Sequence, residues 1–258
     1  GIAIFQHKHS AKVMKFFRKR SIPKVLRLLE KIMPESGGFL EAIPLTAFVS
    51  LSLIKSGYRG HPVVEKGIAF LKRTQRTDGS WPIDIDLSTW VTTLAVKSFR
   101  GKVNQYFDNE LKQKITSHLL TIQNRTVHPF NGSSPGGWGW THFSGSVPDG
   151  DDTPGVILSL FSLNPEPEEP VIHSVTAGCD WLLKLQNNDG GFPTFSRGWG
   201  KLPFDQSCAD LTGHAYAALA TSIEKLDKDI PSVKRSKYQN SSRKALLFLA
   251  KNQKDYGA

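Results

Sequence analysis

Lys66-Gly-Ile-Ala-Phe-Leu-Lys-Arg-Thr-Gln75-Arg-Thr-Asp-Gly79-Ser-Trp81 is the stretch on which the fold can be read. An amphipathic helix ends at a glutamine, and a glycine-containing turn then delivers an aromatic residue. The pattern returns as Ala177-Gly-Cys-Asp-Trp181-Leu-Leu-Lys-Leu-Gln186-Asn-Asn-Asp-Gly190-Gly-Phe192. A looser copy runs from His118-Leu-Leu-Thr-Ile-Gln123 to Gly136-Gly-Trp138. A fourth starts at Lys244, reaches Gln253 and stops at Ala258 before the expected glycine-turn aromatic, and a remnant, Gly37-Gly-Phe39, lies near the start. Glutamine-to-glutamine intervals of 48, 63 and 67 residues describe a supersecondary unit with variable loops.

A second kind of helix follows each turn. Trp90–Phe99, Pro154–Leu163 and His214–Ser222 are apolar or small on nearly every side, as expected of helices buried on all faces. The glutamine-bearing helices carry Lys and Arg on one side, as an outer layer does. Period-two alternation is almost absent. The expected fold is therefore all-α, helical hairpins stacked into an α/α toroid. The repeated Gln and the aromatic (Trp81, Phe192) are expected to brace the hairpins, the amide bonding backbone groups at helix ends.

The 258 residues carry a net charge of +10, concentrated early in Lys8, Lys12, Lys15, Arg18, Lys19, Arg20, Lys24 and Arg27. Interleaved Val13, Phe16, Phe17, Ile22, Val25, Leu26, Leu28 and Leu29 suit an amphipathic helix pair lying on the core or on a lipid surface. No zinc-finger or RNA-binding signature accompanies these charges, so nucleic acid is not the expected partner. Cys179 and Cys208 match no metal or redox spacing, which points to a reducing compartment.

Pro148-Asp-Gly-Asp-Asp-Thr-Pro154 places Asp149, Asp151 and Asp152 within four positions, with no Lys or Arg among them. Like charges so close do not all ionise cheaply, and at least one carboxyl is expected to keep its proton well above the ordinary Asp range. A neutral carboxylic acid is a proton donor. Asp152-Thr153-Pro154 also reads as a helix start, an N-cap followed by proline.

The Gln…Gly-x-Trp repeats, Pro135-Gly-Gly-Trp-Gly-Trp140, Asp149-Gly-Asp151-Asp152-Thr153 and Asp210-Leu-Thr-Gly-His214 together resemble the squalene–hopene cyclases. The resemblance covers most of the chain. It implies that the middle acid, Asp151, protonates the terminal alkene of a folded polyprenoid such as squalene, with no metal and no cofactor. It also implies that His214 hydrogen-bonds the acid and that Asp210 supports His214. On this reading Asp149 and Asp152 hold the proton on Asp151, and a cationic His214 stabilises the carboxylate left behind. Asp210 and His214, four apart on one helix face, are expected to meet. Trp140 stands where the family carries a cation-facing aromatic. Trp90, Trp138, Trp199 and Phe204 are further candidates for cation–π stabilisation.

Three positions depart from the family pattern: Val91 replaces an Asp of the acid's supporting network, and Gly150 and Pro154 replace an apolar residue and Ala. The resemblance further implies two toroids, residues 1–88 ending the first and 89–258 beginning the second, with the chain incomplete at both ends. A peripheral seat on the cytoplasmic membrane face is expected, since such a substrate dissolves in lipid, and a homodimer is compatible. Other readings are a zinc-holding prenyltransferase-like toroid using Asp205, Cys208 and His214, a magnesium-dependent terpene synthase, and a non-catalytic repeat scaffold binding lipid or protein. For zinc, the spacing is wrong and a second Cys is missing.

Overall fold

The computed structural model describes residues 12–196 and 205–255. Among them the architecture is all-α, with a single two-stranded pairing of Phe192–Pro193 (β1) against Ser207–Cys208 (β2). Two compact units are formed, residues 1–86 with 143–146, and residues 87–142 with 147–258.

In the first unit, α1 (Lys12–Ile32) is followed by a 3-10 turn at Phe39–Glu41 and by a hairpin of α2 (Ile43–Lys55) and α3 (Pro62–Thr74). The basic segment is one helix and not the expected pair: Pro23 lies inside it. Proline removes a single N–H, and the helix continues past that loss. Phe143–Ser146 belongs to this unit, where Gly145 N–H donates to Glu41 Oε1 at 3.1 Å.

The second unit has two rows of helices. The inner row is α4 (Ser88–Ser98), α7 (Asp152–Leu163) and α9 (Ala209–Lys225), and each packs on the next. The outer row is α6 (Asn109–Thr121), α8 (Glu169–Leu185) and α10 (Ser232–Asn252), with the short α5 (Val103–Tyr106) before it. Helix α7 buries ten of its twelve residues and is the centre of the unit. Its Val156, Ile157, Leu160 and Phe161 share one core with Trp138, Trp181, Leu182 and Leu219. Helix α4 departs from the expectation of all-round burial. Its main packing partner is α7 alone, and Trp90, Val91 and Leu94 stay exposed.

The repeat glutamines join one hairpin to the next. Gln123 Nε2 donates to the carbonyl of its own turn at Gly136 (2.7 Å) and to Ser174 of α8 (2.8 Å). Gln186 repeats this with Gly190 (2.8 Å) and with Ser241 of α10 (3.0 Å). Ser174 and Ser241 hold the same position relative to the following glutamines, Gln186 and Gln253. The glycine pairs explain how the joint closes. Gly37, Gly136 and Gly190 all have positive φ, and a Cβ on any of them would collide with the carbonyl of Lys66, Ala177 or Lys244 on the next outer helix. A Cβ on the second glycines would run into Phe70 at Gly38, Trp181 and Pro148 at Gly137, and Ser207 at Gly191, where Phe248 is also close. The turn at Gly79 differs: Ser80 stands in place of the second glycine, and the space around Gly79 is open.

The aromatic of the turn also braces. Trp81 Nε1–H donates to the Leu71 carbonyl and Trp138 Nε1–H to that of Leu119, each at 2.7 Å. Phe192 has no such donor and is held by burial.

Candidate active site

The acid loop is pinned to the braced turn before it. Asp149 N–H donates to the Trp138 carbonyl (3.0 Å), and Thr153 Oγ1 accepts from Trp138 N–H (2.9 Å). Gly150 is required there, because a Cβ would stand 2.8 Å from the Pro193 carbonyl of β1. Asp149 caps the loop: its Oδ1 accepts from the N–H groups of Asp151 and Asp152, both at 2.8 Å. The capping role expected of Asp152 thus falls to Asp149, and the carboxyls of Asp151 and Asp152 make no cap bond.

Asp151 joins the three inner helices. Its Oδ1 lies 3.0 Å from His214 Nδ1 on α9, and its Oδ2 accepts from Trp90 Nε1–H on α4 at 3.1 Å. The side chain is 40% exposed, while that of His214 is 16% exposed. The imidazole bond holds the Asp151 carboxyl below the usual Asp range, outweighing its partial burial; His214, Trp90 and Lys97 add to the lowering.

Asp149 and Asp152 are buried and behave in the opposite way. Burial pushes Asp149 up to about 6 in spite of its backbone donors. Asp152 is pushed up to about 10, first by burial and then by the charges of Asp149 and Asp151. Asp149 Oδ2 and Asp152 Oδ1 are buried without a partner, a pair of oxygens that a proton on Asp152 relieves. This corrects the expectation that Asp149 and Asp152 hold a proton on Asp151. The crowding is real, but it raises the two buried carboxyls and not Asp151: Asp149 keeps two backbone N–H donors and Asp152, equally buried, has none, so Asp152 is raised further.

Asp210 is a second correction. It is exposed in the first turn of α9 and takes the Cys208 thiol as its donor, while His214 Nε2 is buried without a partner. Spacing put both on one helix; the thiol just before the helix draws the carboxylate away. Trp138 is a third. Fully buried and bonded to Leu119, it is a brace and not a wall of a site. Trp140 lies beside the acid's neighbours: its carbonyl accepts from the Thr89 and Trp90 N–H groups (3.1 and 3.3 Å), and its ring centroid is 5.6 Å from that of Phe195. Trp199 and Phe204 lie outside the described residues. Asp205, Cys208 and His214 are not assembled into a ligand set, since Cys208 turns to Asp210 and His214 to Asp151. Among the described residues no group of three His, Cys, Asp or Glu side chains is placed to hold a metal ion.

Sequence reasoning missed Phe195, Lys97 and the hydrogen-bonding role of Trp90. A cavity of about 360 Å³ between α4, α7 and α9 is lined by Thr93, Leu94, Gly155, Leu158 and Phe161, with His214 in its wall. Trp90 and Trp140 are not part of that lining, so this hollow is not the aromatic-walled one expected.

The profile of the squalene-hopene cyclase C-terminal domain matches residues 86–258, which carry the inner and outer rows and every acid of the loop. The chain belongs to the squalene-hopene cyclase family. It is 33% identical to enfumafungin synthase of Hormonema carpetanum over 140 residues, 50% of this chain and 10% of that protein. A terpene cyclase–glycosyl transferase fusion protein of Humicola fuscoatra is 25% identical over 272 residues, 93% of this chain and 20% of its own. Sporulenol synthase of Bacillus subtilis (strain 168) is 28% identical over 201 residues, 69% and 30% respectively. The chain therefore spans less than a third of the length of these relatives.

Proposed function

We propose that the protein cyclises a linear polyprenoid, squalene or a similar chain, by protonating a double bond, with Asp151 as the general acid. The observation that carries this is the placement of one partly exposed carboxyl against an imidazole and an indole N–H from two neighbouring inner helices. Membership of the cyclase family supports it.

In the empty site the Asp151 carboxylate is favoured, because His214 stabilises its charge. A hydrocarbon substrate displaces water and raises the cost of every ion it covers, so the carboxylate's affinity for a proton rises on binding. The acid is loaded in the complex. The O–H bond of Asp151 then breaks as the alkene's electron pair takes the proton, leaving a carbocation. The carboxylate returns to its two partners, His214 and Trp90. Stabilising contacts that favour the charged product of proton loss are what make the donor strong. Trp140, whose ring lies against that of Phe195, is the proposed aromatic partner of a developing cation, a contact worth roughly 0.5–2 kcal/mol.

Residues 1–88 fit the end of one α/α toroid and 89–258 the start of a second. The interruption of the glycine joints at Gly79-Ser80 supports that division. A peripheral seat on the cytoplasmic membrane face suits a lipid-soluble substrate. Helix α1 supports it with exposed Phe16, Phe17 and Leu28 beside Lys19, Arg20, Lys24 and Arg27. Among the described residues no helix is long and apolar enough to cross a membrane.

Incubation of the protein, at the length its host makes, with squalene and with shorter polyprenoids tests the reading by mass spectrometry. Cyclised products of unchanged mass, or of mass raised by one water, are expected. Recovery of linear substrate alone from every chain length would overturn it.

A further inference from the structure

Trp90 is one of the five aromatic residues named above as candidates for cation stabilisation, yet its polar edge is what the structure commits. The Nε1–H donates to Asp151 Oδ2 at 3.1 Å, while Oδ1 of the same carboxyl faces His214 Nδ1 at 3.0 Å. The two contacts come from opposite neighbours in the inner row, α4 and α9, and meet on the residue that opens α7. Trp90 is itself fixed from behind, its backbone N–H donating to the Trp140 carbonyl at 3.3 Å. The ring is 38% exposed, so burial does not dictate its orientation.

We infer that Trp90 is a positioning residue for the acid, its indole N–H holding the carboxylate of Asp151 in register with His214 and stabilising the charge that proton donation leaves. This rests on the reading of Asp151 as the proton donor. A hydrogen bond to a charged acceptor is stronger than one to a neutral group. The bond therefore strengthens as Asp151 loses its proton, and it favours the transition state over the loaded acid. The charged and titratable groups that bear on Asp151 are His214 from α9, Asp149 and Asp152 from its own loop and helix, and Lys97 from α4. None of them supplies a second donor to Oδ2, so no other side chain of this set replaces the indole when it is removed, and only mobile water can.

Two substitutions separate an edge role from a face role. Trp90→Phe keeps an aromatic face and removes the N–H, whereas Trp90→Leu removes both. The inference predicts that both lower kcat about tenfold with KM little changed. It also predicts that the pH at which Asp151 titrates moves upward in both, because the carboxylate has lost a donor. A cation-facing wall predicts that Phe retains kcat and Leu alone loses it, and that result would overturn the inference.

A readout independent of turnover accompanies these. In the ¹⁵N-indole NMR spectrum, the Trp90 Nε1–H resonance is expected to shift with the titration of Asp151 and to lose that dependence in Asp151→Asn. A Trp90 resonance flat with pH in the parent protein would count against the inference. If Asp151→Asn retains full turnover, the functional reading fails; if it is inactive while Trp90→Phe is unimpaired, only the role of Trp90 fails.

Discussion

The joints between hairpins and the loop that carries the acids lie side by side, yet they treat polar groups in opposite ways. At the joints the amides of Gln123 and Gln186 each donate twice, and the indole of Trp138 finds a carbonyl. In the acid region His214 Nε2 and Trp140 Nε1 are buried and unpartnered, and the buried oxygens Asp149 Oδ2 and Asp152 Oδ1 are matched only when a proton is held there. Unmatched buried groups cost stability, and a fold that tolerates several in one place does so where another requirement overrides packing. The joints hold the fold, and the acid region is the proposed seat of the chemistry. Substitutions in the two regions should therefore separate stability from activity.

The largest stability loss is expected at the joints. Gly136→Ala combines a positive φ with a collision against the Ala177 carbonyl, and the cost is about 3 kcal/mol or more, measured by chemical denaturation. The acid region should respond in the other direction. The Asp152 carboxyl is raised from an unfolded value near 3.8 to about 10. Its folded-state proton therefore contributes stability fully below about pH 4, and that contribution is lost as pH rises toward 10. Asp152→Asn keeps a neutral group of the same shape, so its stability relative to the parent should improve by a few kcal/mol between pH 5 and pH 9. Parallel denaturation curves at the two pH values check this.

A smaller effect is expected from Gln186→Ala, which frees the Gly190 and Ser241 carbonyls and the Ser241 hydroxyl, at about 1–3 kcal/mol. Smallest is Gln75→Ala, whose amide bonds only the exposed Gly79 carbonyl; a change within about 0.5 kcal/mol is expected. Equal losses at Gln75 and Gln186 would break the distinction between a closed joint and an open one.

Much of this was legible in the sequence because it is periodic. Glutamine, glycine and aromatic recur in one order, and the apolar helices between them mark the inner row. The division of labour within the glycine pairs was not legible, since it depends on which carbonyl and which ring of the following helix approach each turn. The meeting of Asp151 with His214 was implied by the resemblance, and the two side chains are in contact. The site of the proton was not legible: it depends on depth, which puts Asp152 in the core and leaves Asp151 at the surface. Asp210 shows the limit of spacing arguments, since a shared helix face does not say whether a first-turn carboxylate turns along the helix or back to the thiol before it.

The most direct test is Asp151→Asn assayed for both turnover and unfolding on the same preparation. The account predicts that cyclised product falls by about a hundredfold to ten-thousandfold, while the protein still unfolds in one cooperative transition, destabilised by no more than about 1–3 kcal/mol for the weakened bonds to His214 and Trp90. Product formed at the parent rate by a folded Asp151→Asn protein would contradict it.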